Sequence, residues 1–268
     1  MARSWERSLR ARNLAPKTVM TYMDAALQLC DFLDADEGRE DVAAADLRRD
    51  HVEGYLAEVL AKSRPSTANN RFRALQQFTR FLHDEGEIEA NPMARMKPPM
   101  VPDEPPDVLT IKEVKAILAT CKGGDFVARR DEAILRLFAD TGLRLNELAG
   151  LTVDDVDLDE SDEVTVMGKG RRPRAVPFGS KTGQALDRYR RLRDKHRAAD
   201  SPAFWLGLAG PMTDNGVAQM VRKRGRMAGI EGMHPHLFRH FFAHNYLAND
   251  GREGDLMRLA GWRSRQML

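Results

Sequence analysis

Between Asn91 and Val108 the chain places Pro92, Pro98, Pro99, Pro102, Pro105 and Pro106, six of its 13 prolines, in one short span. Each proline fixes φ and removes a backbone donor, so this stretch cannot be a helix and reads as an extended, semi-rigid linker. It divides the 268 residues into a first domain over 1–90, a linker over 91–108 and a second domain over 109–268. Either part is long enough to bury a core of its own.

The first domain reads as helices. Val19, Tyr22, Ala26, Leu29 and Leu33 follow the three-four spacing of an apolar stripe, with Pro16 near the start. Val52, Tyr55, Leu56, Val59 and Leu60 repeat it behind Asp50 as the expected cap, and Phe72, Leu75, Phe78 and Leu82 make a third helix entered through Ser66-Thr67. In the second domain Thr110-Ile111-Lys112-Glu113 has the spacing of a capping box, and a helix holding Ile134, Leu137 and Phe138 should end at Gly142. Strand-like pieces follow at Val153–Leu158, Glu163–Val166 and Arg174–Pro177, and helices return from about Lys181, Asp214 and His236, with a last short one near Asp255–Ala260. The expected class is mainly α with a small antiparallel β-sheet.

Two widely spaced cysteines, Cys30 and Cys121, suggest neither a disulfide framework nor a zinc site and fit a reducing compartment. The longest apolar runs are too short to cross a bilayer and the N-terminus has no apolar signal region, so the expectation is a soluble, cytoplasmic protein with no membrane partner. Net charge is only +2, but its distribution is uneven. Arg64, Arg71, Arg73 and Arg80 lie in a run without acids, as do Lys169, Arg171, Arg172 and Arg174, and as do Arg222, Lys223, Arg224 and Arg226. One such run is ordinarily a solvated helix face. Three in separate elements, interleaved with Ser, Thr, Asn and Gln, point to a phosphate backbone. On the third helix Thr67, Asn70, Arg71, Arg73 and Gln76, with Arg64 before them, suit phosphates and base edges.

The chemistry concentrates in two arginines far apart in sequence: Arg144 in Thr141-Gly142-Leu143-Arg144-Leu145-Asn146-Glu147, and Arg239 in His236-Leu237-Phe238-Arg239-His240. A planar guanidinium can hold two oxygens of one phosphate, and two guanidinium groups can enclose a phosphodiester. Taken singly, Arg144 reads as a surface arginine, Lys169 as a solvated turn lysine and Trp262 as a core aromatic. Taken in order, the segments resemble the tyrosine recombinase, or phage integrase, family. Thr141–Leu148 is similar to its first arginine box, Gly168-Lys169-Gly170 with Arg174–Phe178 to its hairpin lysine segment, His236–His240 to its second arginine box, and Leu259-Ala260-Gly261-Trp262 to the segment before its nucleophile.

The resemblance implies a two-domain C-shaped clamp, with a helical, SAM-like core-binding domain over 1–90 and a mixed α+β catalytic domain over 109–268. It assigns catalysis to Arg144, Lys169, His236, Arg239 and Trp262, with Glu147 and His240 in support. DNA contacts fall to Arg64, Thr67, Asn70, Arg71, Arg73, Gln76, Arg171, Arg172, Arg222 and Lys223. The implied partner is double-stranded DNA with inverted-repeat core sites, bound by a homotetramer on synapsed DNA in the full-length protein. No cofactor or metal is implied, because the protein supplies the positive charge. The family's nucleophile is a tyrosine about nine residues beyond the position of Trp262, near position 271. Tyr22, Tyr55, Tyr189 and Tyr246 do not fit that spacing, so the expectation is a chain truncated before its nucleophile, a monomer or weak oligomer that binds DNA without cleaving it.

Two other readings remain. A sequence-specific DNA-binding regulator needs no tyrosine, although it has no need for the arginine boxes either. His236, His240 and His244 at successive four-residue spacings could share a helix face around zinc, but Leu237 stands where the metalloprotease motif needs its glutamate.

Overall fold

A computed structural model describes residues 1–35, 44–103, 106–168, 173–262 and 264–265. The chain separates into two compact units, Met1–Glu104 and Pro105–Leu268. The first is built from α1 (Ala2–Ala11), α2 (Pro16–Asp34), α3 (Arg49–Lys62) and α4 (Pro65–Asp84), with a short 3-10 turn at Ala44–Asp46. Its core gathers Leu29, Val52, Phe72, Leu75 and Leu82, as the apolar stripes require. The first helix was not anticipated. It enters the core through Trp5 and Leu9, one turn apart, and Trp5 packs on Phe78 at a centroid distance of 4.7 Å.

Two helix starts differ from expectation. Asp50 lies inside the first turn of α3, whose N-cap is Arg48, and α4 starts at Pro65 rather than at Ser66-Thr67. Proline suits a first helical position because the N–H it lacks would have no intrahelical partner there. Met93, inside the proline-rich span, is fully buried in the core of the first unit.

The second unit holds α5 (Ile111–Ala119), α6 (Phe126–Thr141), α7 (Leu145–Ala149), β1 (Val156–Asp157), β2 (Glu163–Met167), β3 (Pro173–Pro177), α8 (Ser180–Arg193), α9 (Asp214–Met227), α10 (Pro235–Ala248) and α11 (Glu253–Ala260). The strands form an antiparallel sheet in the order β1-β2-β3, with Val164 opposite Val176 and Val166 opposite Arg174. Of the expected strand at Val153–Leu158, only Val156 and Asp157 pair; Val153–Asp155 coil into a 3-10 turn held by Asp155, which accepts from the Thr152 N–H at 2.8 Å. The capping box at α5 forms, with the Glu113 N–H donating to Thr110 Oγ1 and the Thr110 N–H donating to Glu113 Oε2.

α6 runs through the centre, with Ile134, Leu137 and Phe138 fully buried, and packs against α8 and α10. It ends at Gly142, whose φ of +59° and close approach to Phe242 leave no room for a side chain: a Cβ there would lie 2.5 Å from the Phe242 ring. Two buried arginine networks stitch the irregular segments to this frame. Arg193 donates to the carbonyls of Phe204, Ala199, Ser201 and Ala203, satisfying backbone oxygens of the long α8–α9 connection. Asp131 on α6 accepts from both Arg130 and Arg224, and Arg224 also donates to Thr120 O at the end of α5.

Replacing Asp131 with Ala should lower the unfolding free energy by about 3–5 kcal/mol, because it leaves two buried guanidinium groups without their counter-charge. The measure is a lower denaturant midpoint at unchanged slope; a loss below about 1 kcal/mol would show that water or backbone had replaced the carboxylate.

Candidate active site

The site grows from α7, a five-residue helix too short to persist on its own. Tertiary contacts hold it: Leu148 is fully buried, and its carbonyl accepts the Trp205 indole N–H at 2.8 Å. Arg144 is the N-cap of α7, so the turn after Gly142 aims its side chain away from the core, where it is 39% exposed. Glu147, one turn on, braces it: Oε2 accepts the Arg144 N–H at 3.0 Å and Oε1 accepts Arg144 Nη1 at 3.0 Å.

Glu147 also holds Arg174, which sequence reasoning had not named as a site residue. Arg174 donates from Nη1 and Nη2 to the two carboxylate oxygens at 3.0 and 2.7 Å. Strand alternation is the signal that could have found it, since Arg174 shares its face of β3 with the buried Val176. Burial pushes the Glu147 carboxyl up, but the hydrogen bonds from Arg174 and from the Arg144 N–H outweigh it, and the net shift is below the ordinary carboxylate value.

Arg239 comes from α10 and is buried. It donates from Nη1 to Gly142 O at 2.7 Å and from Nη2 to Ala260 O at 2.5 Å. Its guanidinium lies 5.0 Å from the centroid of the Trp262 ring, a cation–π contact that packs one side of the group. Burial lowers its pKa to about 10, and the charges of Arg144 and Arg174 act in the same direction, although the group stays cationic at neutral pH. Arg144, Glu147, Arg239 and Trp262 are therefore brought together, with Arg174 added.

His236 and His240 stand at the start of α10 with their rings edge to face at 4.5 Å. The pKa of His236 is lowered, first by burial and then by the charges of His240, Arg239, His234 and Arg144. That of His240 falls for the same primary reason. His236 stays partly exposed, while His244 is exposed farther along the helix. Among the described residues no group of three or more His, Cys, Asp or Glu is arranged to hold a metal ion.

The basic surfaces sort into outward and inward members. Arg64, Thr67, Asn70, Arg73 and Gln76 are exposed along α4. Arg71 is set apart: its side chain is 18% exposed and its Nη2 meets Asp24 at 2.7 Å, so it ties α4 to α2. On α9 Arg222 and Lys223 are exposed, whereas Arg224 points inward to Asp131. Lys169, Arg171 and Arg172 lie outside the described residues.

Arginines from α7, β3 and α10 converge on one turn, in a helical unit with a three-stranded sheet. Residues 107–268 match the model of the phage integrase family, and residues 2–86 match that of the phage integrase N-terminal SAM-like domain. The chain belongs to this family, the tyrosine recombinases.

Tyrosine recombinase XerC of Azotobacter vinelandii is 36% identical over 202 residues, which cover 75% of this chain and 64% of that relative, just under two thirds of its length. Tyrosine recombinase XerD of Corynebacterium glutamicum is 32% identical over 261 residues, covering 92% of this chain and 84% of the relative. Among solved structures, a lambda integrase dimer bound to a COC' core site matches with a TM-score of 0.78 at 17% identity, covering 100% of this chain and 95% of that one. XerH bound to its difH substrate matches with a TM-score of 0.74 at 17% identity, covering 100% and 80%. These two likenesses are likenesses of fold.

Glu147 supplies the first test of the site. A carboxylate with a depressed folded pKa contributes stability above its unfolded pKa, and that contribution is lost as pH falls through the folded value. Glu147→Gln should therefore be less stable than wild type at neutral pH, on the order of 1–3 kcal/mol, with the gap closing on acidification. Denaturant titrations across pH check this; a gap unchanged in acid would mean the carboxylate charge is not what the arginines use.

Proposed function

We propose that the chain is a site-specific recombinase of the type that cuts and rejoins strands through a 3′-phosphotyrosine intermediate, and that these 268 residues, whose tyrosines do not fit the nucleophile's place, bind DNA without cleaving it. The observation that carries the reading is the meeting of Arg144 and Arg239, far apart in sequence, on the adjacent carbonyls of Gly261 and Ala260. In phosphodiester transfer, charge develops on the non-bridging oxygens, so cations fixed in advance contribute most there. Arg144 and Arg239 take this role. Lys169 would protonate the departing 5′ oxygen, His236 would assist as acid–base or further donor, and Trp262 packs the site against Arg239. Duplex DNA with inverted-repeat core sites is the expected partner, with a homotetramer on synapsed DNA as the working assembly.

The nucleophile is the part for which these residues offer no good tyrosine. Tyr22 and Tyr55 pack in the first unit, and Tyr246 packs against Phe242. The Tyr189 hydroxyl is buried, donates to Phe204 O and accepts the Leu206 N–H, with its pKa pushed up to about 12 by burial. This placement equally favours the second reading, a DNA-binding regulator without strand cleavage.

A nicked suicide duplex separates the outcomes. The chain should shift DNA in a gel yet yield no covalent band under denaturing conditions. A covalent band would overturn the proposal that the chain cannot cleave, and failure to bind duplex DNA at low salt would remove both readings.

The basic surface of α4 gives a separate test. Binding should weaken steeply with salt, and Arg73→Ala should reduce both affinity and salt slope, the slope by about one unit for one phosphate contact. Arg71→Ala should chiefly destabilise the first unit, because its partner is Asp24. Equal losses of affinity in the two variants, with no change in stability, would contradict that division.

A further inference from the structure

Arg174 has no part in the mechanism above, yet every hydrogen bond it makes reaches a residue adjoining or belonging to the arginine cluster. Its side chain is 13% exposed, and the Glu147 carboxylate with which it pairs is 9% exposed. Two parallel N–H···O bonds from one guanidinium to one carboxylate fix both position and plane, which a lysine's point charge cannot do. The third donor, Nε, reaches Leu259 O at 2.9 Å.

That last contact belongs to a pattern. Three consecutive carbonyls at the C-terminal end of α11 each accept from a different arginine: Leu259 O from Arg174, Ala260 O from Arg239 and Gly261 O from Arg144. Carbonyls at a helix C-terminus lack intrahelical partners and carry the negative end of the helix dipole, so they attract cations. Gly261 closes the turn with φ +63°, and a Cβ there would stand 3.3 Å from Arg174 Cζ and 3.4 Å from Arg144 Nη1. The turn thus admits the guanidinium groups closely.

We propose that Arg174 is a positioning residue for the phosphate seat: it holds Glu147 in the orientation that aims Arg144 and locks this pair to the C-terminal turn of α11. The inference rests on the phosphate seat described under the proposed function. Arg174 commits Nε, Nη1 and Nη2 to protein groups and is 13% exposed, whereas Arg144 is 39% exposed and open to an anion. Arg174 also links β3, the strand following the Lys169 segment, to both sides of the arginine cluster.

The test uses the whole 268-residue chain, with arginine labelled by nitrogen-15 and tungstate as a tetrahedral dianion probe. Arg174→Lys keeps the charge but removes the fork. Relative to wild type, the Arg144 guanidinium signal should lose its restrained rotation while that of Arg239, anchored on Gly142 O and Ala260 O, keeps it. Tungstate affinity by calorimetry should fall roughly fivefold, the cost of about one hydrogen bond. Glu147→Gln removes the direct brace on Arg144 and calibrates the signal of a freed guanidinium; Arg174→Met, expected to give the same two changes as Arg174→Lys, serves if the lysine variant does not fold.

An unchanged Arg144 signal overturns the proposal whatever the affinity does, since a weaker affinity alone would make Arg174 a direct contact. A mobile Arg144 with wild-type affinity overturns it as well. If wild type itself does not bind tungstate, the phosphate seat fails, and the labelled-arginine comparison still decides whether Arg174 positions Arg144.

Discussion

One carboxylate sets the geometry of the site. Glu147 accepts two hydrogen bonds from Arg144 and two from Arg174, so a single buried negative charge lies between two cations that would otherwise repel each other at close range. Removing it would leave Arg174 beside Arg239 with no compensation, and the short α7 would lose the brace at its first turn. Among the described residues Glu147 is the one carboxylate ion-paired with these arginines, which leaves the site an excess of positive charge, with Arg144 its most exposed member. The burial that lowers the pKa of Arg239 also strengthens any charge pairing there.

Arginine serves two purposes in this unit, and they differ in what the guanidinium faces. Arg193, Arg130 and Arg224 turn inward and satisfy backbone carbonyls, and Asp131 is the counter-charge shared by Arg130 and Arg224. Arg144, Arg174 and Arg239 use carbonyls too, but these are the orphan oxygens at the end of α11. The same chemistry, a fork of donors meeting backbone oxygens, builds the scaffold in one place and arranges the candidate catalytic groups in the other. The Trp262 ring against Arg239 completes the packing where the chain leaves α11.

Much of the architecture was legible in the chain itself, because burial on a helix imposes a three-four spacing; the proline-rich span was less so, since Met93 within it packs into the first core. The stripes of α2, α3 and α4, the capping box of α5, the glycine end of α6 and the grouping of Arg144 with Arg239 all follow from local rules or from motif order. The short α1 escaped because its apolar signal is only Trp5 and Leu9, and the first expected strand shrank because Asp155 turned its backbone into a 3-10 coil. Acid-free runs of arginine were a weaker guide: Arg71 and Arg224 belong to such runs yet each pairs with an aspartate remote in sequence, Arg71 with Asp24 at the surface and Arg224 with the buried Asp131.

By itself, then, the sequence determined two helical units, a three-stranded sheet and a pair of arginine boxes with a histidine beside one of them. Only the tertiary structure decided that Arg174 shares the Glu147 carboxylate, that three neighbouring carbonyls divide three arginines among them, and which basic side chains face solvent. The physical reason is one of range. Periodicity and capping arise from contacts within a few residues, whereas a carboxylate chooses its partners by distance in space, and Glu147 meets an arginine 27 residues away on another element.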